Sequence, residues 1–246
     1  MSLPVHLAPG LDEVAVGHEV RVEGDEAHHA VAVRRLRVGE QVVLTDGAGT
    51  AVRGAVASTG KRVFTVVVEE VTRPERPAPE IVVVQAIPKG ERGELAVEVL
   101  TEIGVATVVP WAASRSVAVW KGERAAKSLA RWRSTAREAA KQARRAWFPE
   151  VVEMASTDQV TALIEGADLA VVLHEEATSA LAAVDVPAAG RIVVVAGPEG
   201  GLADDEVATF VAAGAVSVRL GDEVLRTSTA GLAAVSVLLA RTPRWR

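Results

Sequence analysis

Between Gln41 and Val71 the chain alternates apolar and polar positions or runs in β-branched residues. The segments Gln41–Thr45, Thr50–Ala57 and Arg62–Val71 are therefore expected to be strands. Asp46-Gly47-Ala48-Gly49, between the first two, supplies a hairpin turn. A short helix is expected between Gly24 and Leu36, with Asp25 as its cap. From Ile81 onward the pattern changes. Ile81–Ile87, Val105–Pro110, Asp168–Leu173, Arg191–Ala196 and Val216–Leu220 are short, nearly continuous apolar runs. Such runs suit strands buried on both faces of a parallel sheet. Segments with helical spacing separate or follow them: Glu91–Ile103, a long basic stretch over Arg124–Ala146, Asp204–Ala213 and Ser228–Ala240. Alternation of this kind predicts an α/β domain with a covered sheet. Three prolines within Arg73–Pro79 exclude a helix interior or a central strand and mark a semi-rigid linker. The expected organisation is a small β-rich domain over residues 1–72, a linker over 73–80 and an α/β domain over 81–246.

Composition narrows the chemistry. The 246 residues include five Trp, three Phe and no Tyr, too few for a broad stacking surface for single-stranded bases. With no cysteine there is no disulfide, thiolate nucleophile or Cys-ligated metal. No apolar run is long enough to cross a bilayer, and Met1-Ser2-Leu3-Pro4 lacks the basic start and apolar stretch of a signal peptide. A cytoplasmic protein is expected. The formal net charge is −5, yet Arg115–Glu150 holds ten basic residues against three acidic ones. Few opposite charges within the stretch balance them, and phosphate is the obvious counter-charge.

Three strand ends carry polar or glycine-rich turns. Ala196-Gly197-Pro198-Glu199-Gly200-Gly201-Leu202 follows a buried strand and precedes a helix that opens Asp204-Asp205-Glu206. It is not a dinucleotide fingerprint, and acids at that helix start would repel a phosphate. A non-phosphorylated or cationic ligand suits it better. Leu220-Gly221 and then Leu225-Arg226-Thr227-Ser228-Thr229-Ala230 form the second turn. Thr227 and Ser228 there would serve as plain helix caps if they had no other role. The third is Leu173-His174-Glu175-Glu176. Adjacent side chains at a strand end point apart and no second histidine lies at ligand spacing, so no metal is expected. Ligands of open α/β sheets bind beyond the carboxyl ends of the strands. One composite pocket is therefore expected.

These motifs closely resemble the cofactor loops of the SPOUT methyltransferases. The chain is similar over nearly its whole length to the ribosomal small subunit methyltransferase E family, which methylates uracil N3 in 16S rRNA. Lys89-Gly90-Glu91-Arg92, Thr101-Glu102-Ile103-Gly104-Val105, Arg115-Ser116 and Glu138–Arg144 with Pro149 carry the likeness in the rear domain. His28-His29, Val33-Arg34-Arg35 and Gly39-Glu40 carry it in front. Ala203 departs from the pattern, standing where a capping serine is common, so that Asp204 is the expected cap.

The resemblance implies an α/β SPOUT domain with a C-terminal trefoil knot behind an N-terminal PUA-like β-barrel. It implies S-adenosylmethionine, held by Leu173, His174, Glu175, Gly197, Pro198, Glu199, Gly200, Gly201, Leu220, Gly221, Leu225, Arg226, Thr227, Ser228 and Ala230. It also implies a homodimer acting on 16S rRNA of the small ribosomal subunit. His29, Arg35, Lys89, Arg115, Arg131, Arg137, Gln142 and Arg144 would face the RNA. Uracil N3 is protonated at neutral pH, so a base is needed, with Glu199 and Glu102 both eligible. Arg226 or Arg115 would stabilise the anion. The rivals are a SPOUT enzyme acting on a ribose 2′-hydroxyl or another base, and a non-catalytic RNA-binding assembly factor.

Overall fold

The computed structural model describes residues 3–245. The chain forms two compact units that are not contiguous in sequence. One holds the described residues up to Arg76 together with Lys141–Phe148; the other holds Pro77–Ala140 and everything described from Pro149 onward.

The front unit is built on β1 (Val5–Leu7), β2 (Glu19–Glu23), β3 (Gln41–Thr45), β4 (Ala51–Gly60) and β5 (Val63–Thr72). They form a five-stranded half-barrel in the order β1-β3-β4-β5-β2, with β1 parallel to β3 and the other pairs antiparallel. Alternation places Val42, Leu44, Val52, Val56, Phe64, Val66 and Val68 in the core. The hairpin turn forms as expected from Asp46, whose carboxylate accepts the Ala48 and Thr50 N–H groups at 2.7 and 2.9 Å. The expected helix is shorter and irregular. An α-helical turn, α1 (Gly24–His28), runs into a π-helical turn at His29–Val33. Asp25 does not cap it: Glu23 holds the N-cap position and no side chain bonds there. Arg35 then takes a left-handed backbone, φ 58°, and Leu36 folds back into the core.

The contribution of residues 141–148 to this unit was not legible in the helical period. The Lys141 ammonium donates to Glu26 at 2.9 Å, and His6 Nδ1 lies 3.2 Å from the same carboxylate. Burial alone would raise the Glu26 pKa, but the bonds from His6 and Lys141 and the Lys141 charge outweigh it and hold it at about 2. The Gly49 N–H bonds the Ala146 carbonyl, and the Phe148 N–H bonds the Gly47 carbonyl. A Cβ on Gly49 would lie 2.3 Å from the Trp147 ring, so only glycine admits this close approach. These bonds draw the chain off its helical path at Gln142, and the expected end at Ala146 is four residues too late.

The second unit has a seven-stranded sheet, all parallel. Its members are β6 (Glu80–Ala86), β7 (Thr107–Trp111), β8 (Glu150–Val151), β9 (Leu169–Leu173), β10 (Ser179–Ala180), β11 (Arg191–Ala196) and β12 (Val216–Arg219). The order is β10-β12-β9-β11-β6-β7-β8. Helices α2 (Arg92–Ile103), α3 (Glu123–Gln142) and α6 (Thr227–Leu239) cover one face, while α4 (Thr157–Glu165) and α5 (Asp204–Ala212) cover the other. Alternate residues of β6 feed the two cores, Ile81 and Val83 into one, Val82 and Val84 into the other. Each such valine contributes about 1.5–3 kcal/mol of burial, which is why the run reads as continuous. From β11 the chain crosses back over β9 to reach β12, then returns as α6 to pack on β11 and β6.

Candidate functional site

The turns after β9, β11 and β12 meet at the carboxyl end of the sheet around a cavity of about 530 Å³, within the usual range for small-molecule sites. Leu173, His174 and Glu175 line it from β9, and Gly197–Leu202 from β11. Leu220, Gly221, Leu225, Arg226, Thr227 and Ala230 line it from β12 and α6. The single composite pocket expected from three separated motifs is what forms. Arg92, Glu176, Asp204, Val218, Arg219, Asp222, Glu223 and Val224 also line it, although they are not among the expected cofactor residues. Each adjoins a residue that had been singled out or lies within the same turn.

The wall is tightly built. The Cβ of an alanine at Gly200 would lie 3.0 Å from the Arg115 carbonyl oxygen, and one at Gly197 3.0 Å from Leu202. Gly201 turns with φ +73°, a region that side chains avoid. Arg115 lines the cavity from the loop after β7 and donates from Nη1 to the Leu202 carbonyl at 2.9 Å. Glu199 lines it too, and its Oε1 accepts the Lys89 N–H at 3.1 Å.

Several expectations change here. Thr227 and Ser228 are not caps. Arg226 occupies the N-cap position of α6, and its carbonyl accepts the Thr229 and Ala230 N–H groups at 2.9 Å. Thr227 and Ser228 lie inside the first turn, both buried, and Ser228 does not reach the cavity wall. Asp204 does not cap α5 either. Ala203 takes that position, and Glu206 reaches back to its N–H at 3.1 Å. Glu102 sits in the last turn of α2, beside the Gly104 cap that leads into β7, and is not among the residues lining the cavity. It is exposed at the amino end of the sheet, so of the two carboxylates eligible as base, Glu199 alone lines the site.

The basic stretch also reads differently in three dimensions. Carboxylates distant in sequence supply partners that the helix itself lacks. Arg131 lies 3.4 Å from Glu94, Arg133 lies 3.1 Å from Glu153, and Lys141 is tied to Glu26. Arg131 and Arg137 remain exposed on α3, and Lys89 is exposed at the end of β6. In the front unit His29, Arg35, Gln142 and Arg144 are all exposed. Like Arg35, Arg144 has a left-handed backbone, φ 55°.

Two residues that support the site without lining the cavity carried no such expectation. Gln85 is a lone polar residue in the apolar run of β6, fully buried, and its Nε2 donates to the Thr227 carbonyl at 3.2 Å. Glu206 stands three residues after the N-cap, where a capping-box glutamate belongs, a spacing visible in the sequence. Among the described residues no cluster of three or more His, Asp or Glu could hold a metal ion, and no helix is long and apolar enough to cross a membrane.

Comparison with known proteins agrees with this geometry. A family model described as an RNA methyltransferase domain matches residues 74–239, and one described as an RNA methyltransferase PUA domain matches 22–69. Ribosomal RNA small subunit methyltransferase E of Mycobacterium bovis is 44% identical over 249 aligned positions, covering 100% of this chain and 93% of that protein. The Bacillus subtilis protein of the same name is 32% identical, covering 90% of each. A Legionella pneumophila protein solved in complex with bound SAM superposes with a TM-score of 0.88 at 28% identity, over 98% of this chain and 99% of that one. The Neisseria gonorrhoeae ribosomal RNA small subunit methyltransferase E bound to S-adenosyl methionine superposes with 0.87 at 27% identity, over 98% of each. A parallel sheet with this order and a PUA-like front unit form the SPOUT architecture. On its sequence, its fold and its pocket, the chain belongs to the family of RNA methyltransferases that includes ribosomal RNA small subunit methyltransferase E.

Proposed function

We propose that this protein uses S-adenosylmethionine to methylate N3 of a specific uracil in 16S rRNA of the small ribosomal subunit. The observation that carries this is the convergence of the three motif loops on one cavity with Arg115, Glu199 and Arg226 on its wall. The cavity suits the cofactor. Leu173, Leu220 and Leu225 offer apolar surface for an adenine, and the glycines let a ligand approach the main chain. Six acids on the wall, Glu199 among them, outnumber its four arginines, a balance that favours a cationic ligand over a phosphorylated one. The bound cofactor supplies a methyl group on a sulfonium, an electrophile that needs no metal.

The chain's own residues then prepare the nucleophile. The Lys89 N–H holds one oxygen of Glu199, leaving the other to take the N3 proton. Arg226, exposed at the start of α6, meets the charge that develops on the uracil oxygens. Arg115, anchored through one nitrogen to Leu202, directs its remaining N–H groups at the base. N3 lies on the Watson–Crick edge, so the target base is unpaired or turned out when it reacts. Arg131 and Arg137 on α3, Lys89 after β6, and His29, Arg35, Gln142 and Arg144 in the front unit contact RNA phosphates and sugars. They supply affinity more than sequence reading. The enzyme works as a cytoplasmic homodimer, which doubles the basic surface presented by an acidic chain.

The test is single-turnover methylation of small-subunit RNA, read as a reverse-transcriptase stop, because an N3 methyl blocks base pairing. Methyl incorporation without a stop would move the target to a ribose or another base. Cofactor binding without any incorporation would reduce the protein to an assembly factor.

A further inference from the structure

Glu206 is a carboxylate where a carboxylate is costly. It is 4% exposed, and a buried ionised group must recover its lost hydration through hydrogen bonds. Both of its oxygens do so. Oε2 accepts the Ala203 N–H at 3.1 Å, which satisfies one free donor at the start of α5. Ala203 has no side-chain acceptor, so the reciprocal half of a capping box is lacking and the bond from Glu206 is the half that remains. Oε1 does something the helix does not require. It accepts the Ser114 N–H at 2.8 Å, from the loop that follows β7.

The next residue along that loop is Arg115, and it adds a second bond to the same segment. Its Nη1 donates to the Leu202 carbonyl, and its own carbonyl stands where a Cβ on Gly200 would reach 3.0 Å. The loop after β7 thus donates two bonds to the segment after β11, one to the Leu202 carbonyl and one to Glu206 in the first turn of α5, with Gly200 letting the main chains touch between. The Ser116 N–H closes a turn onto the Ala113 carbonyl around Ser114 and Arg115, and Glu206 ties that turn to the start of α5 through the Ser114 N–H.

We propose that Glu206 is a positioning residue for methyl transfer, clasping the Ser114 amide so that the Arg115 guanidinium is held at the cavity. The proposal rests on the reading of Arg115 given above. A flexible loop would leave the arginine to find its place anew in each encounter, whereas a fixed one presents it ready oriented. Two main-chain donors suffice to hold the carboxylate, and the helix dipole at the start of α5 favours the same charge.

Glu206→Gln tests this with little change of shape. The amide keeps one acceptor oxygen and turns its NH₂ toward the other N–H, so one of the two bonds is lost. Single-turnover methylation should fall ~10- to 100-fold, the scale of a misplaced catalytic group, while calorimetric affinity for S-adenosylmethionine holds. In an Arg115→Ala background the same substitution should add little, because the two residues act as one unit. Adding Ala203→Ser to Glu206→Gln separates capping from clasping. The serine restores the helix cap and the melting temperature but leaves the rate low. Hydrogen exchange on the cofactor-free protein should show the Ser114 amide losing protection in Glu206→Gln and keeping it in Ala203→Ser. Full additivity with Arg115→Ala, recovery of the rate by Ala203→Ser, or an unchanged Ser114 amide would each overturn the clasp. A wild type that fails to methylate would instead overturn the functional reading, and the exchange experiment would still decide the clasp.

Discussion

The two ends of the seven-stranded sheet share the same strands and are finished in opposite ways. At the amino end, side chains pair the main chain off. Arg244 donates to the Pro79 carbonyl at 3.2 Å and to the Gly104 carbonyl at 2.9 Å, next to the starts of β6 and β7. Asp168 accepts the Arg191 N–H at 2.7 Å, joining the starts of β9 and β11. At the carboxyl end the loops are glycine-rich, exposed acids and arginines crowd the rim, and a cavity is left between them. Chain direction makes the difference. In a parallel sheet all strands point the same way, so every loop after a strand meets at one end, and ligand chemistry collects there. The opposite end is free to be optimised for stability.

That contrast predicts how substitutions should divide. The largest effect is expected from Arg226→Ala at the carboxyl end. Loss of a cation facing developing negative charge should slow single-turnover methylation by ~10²–10³, on the scale of removing one oxyanion donor. Urea denaturation should barely change, because Arg226 caps α6 through its carbonyl and not its side chain. A near wild-type rate would make Arg226 structural and leave Arg115 as the principal cation. Arg244→Ala should do the reverse. It removes a half-buried guanidinium, its pKa lowered by burial, and leaves two carbonyls without that donor, so a loss of about 2 kcal/mol in the unfolding free energy from urea denaturation is expected. Activity per folded molecule should be unchanged; a slower chemical step would blur the division between the ends. Asp168→Ala is the mildest. Removing one acceptor at an exposed strand start should cost about 1 kcal/mol, with no change in rate.

Particular elements show how far sequence reading reached. Helix α2 was found within one residue at its start because its apolar positions recur at helical spacing. The central strands β6, β9, β11 and β12 were found because burial on both faces forces continuous apolar runs. The edge strands β8 and β10, two residues each, were not, since so short a pair leaves no period to read. The same is true of β1 in the front unit, a three-residue edge strand. Helix α4 was missed although Ser156 and Gln159 form a complete capping box ahead of it. There the signal was present and went unused.

In the site the division is sharper. Glycine turns and abrupt polarity after buried strands are local properties, and they marked Gly197–Leu202, Leu220–Gly221 and Leu173–Glu175 correctly as one pocket's wall. The exclusion of Glu102, the tie between Glu199 and Lys89, and the clasp of Glu206 on Ser114 depend on which loops become neighbours. Those partners stand 110 and 92 positions apart, a separation that no local pattern encodes. The sequence by itself determined the long or doubly buried strands, most of the helices and the loops that would gather, because burial and turn chemistry act within a few residues. The tertiary structure alone decided which charges are paired, where α3 ends, and which carboxylate reaches the cavity. Those outcomes are set by hydrogen bonds between segments that only the completed fold brings within reach.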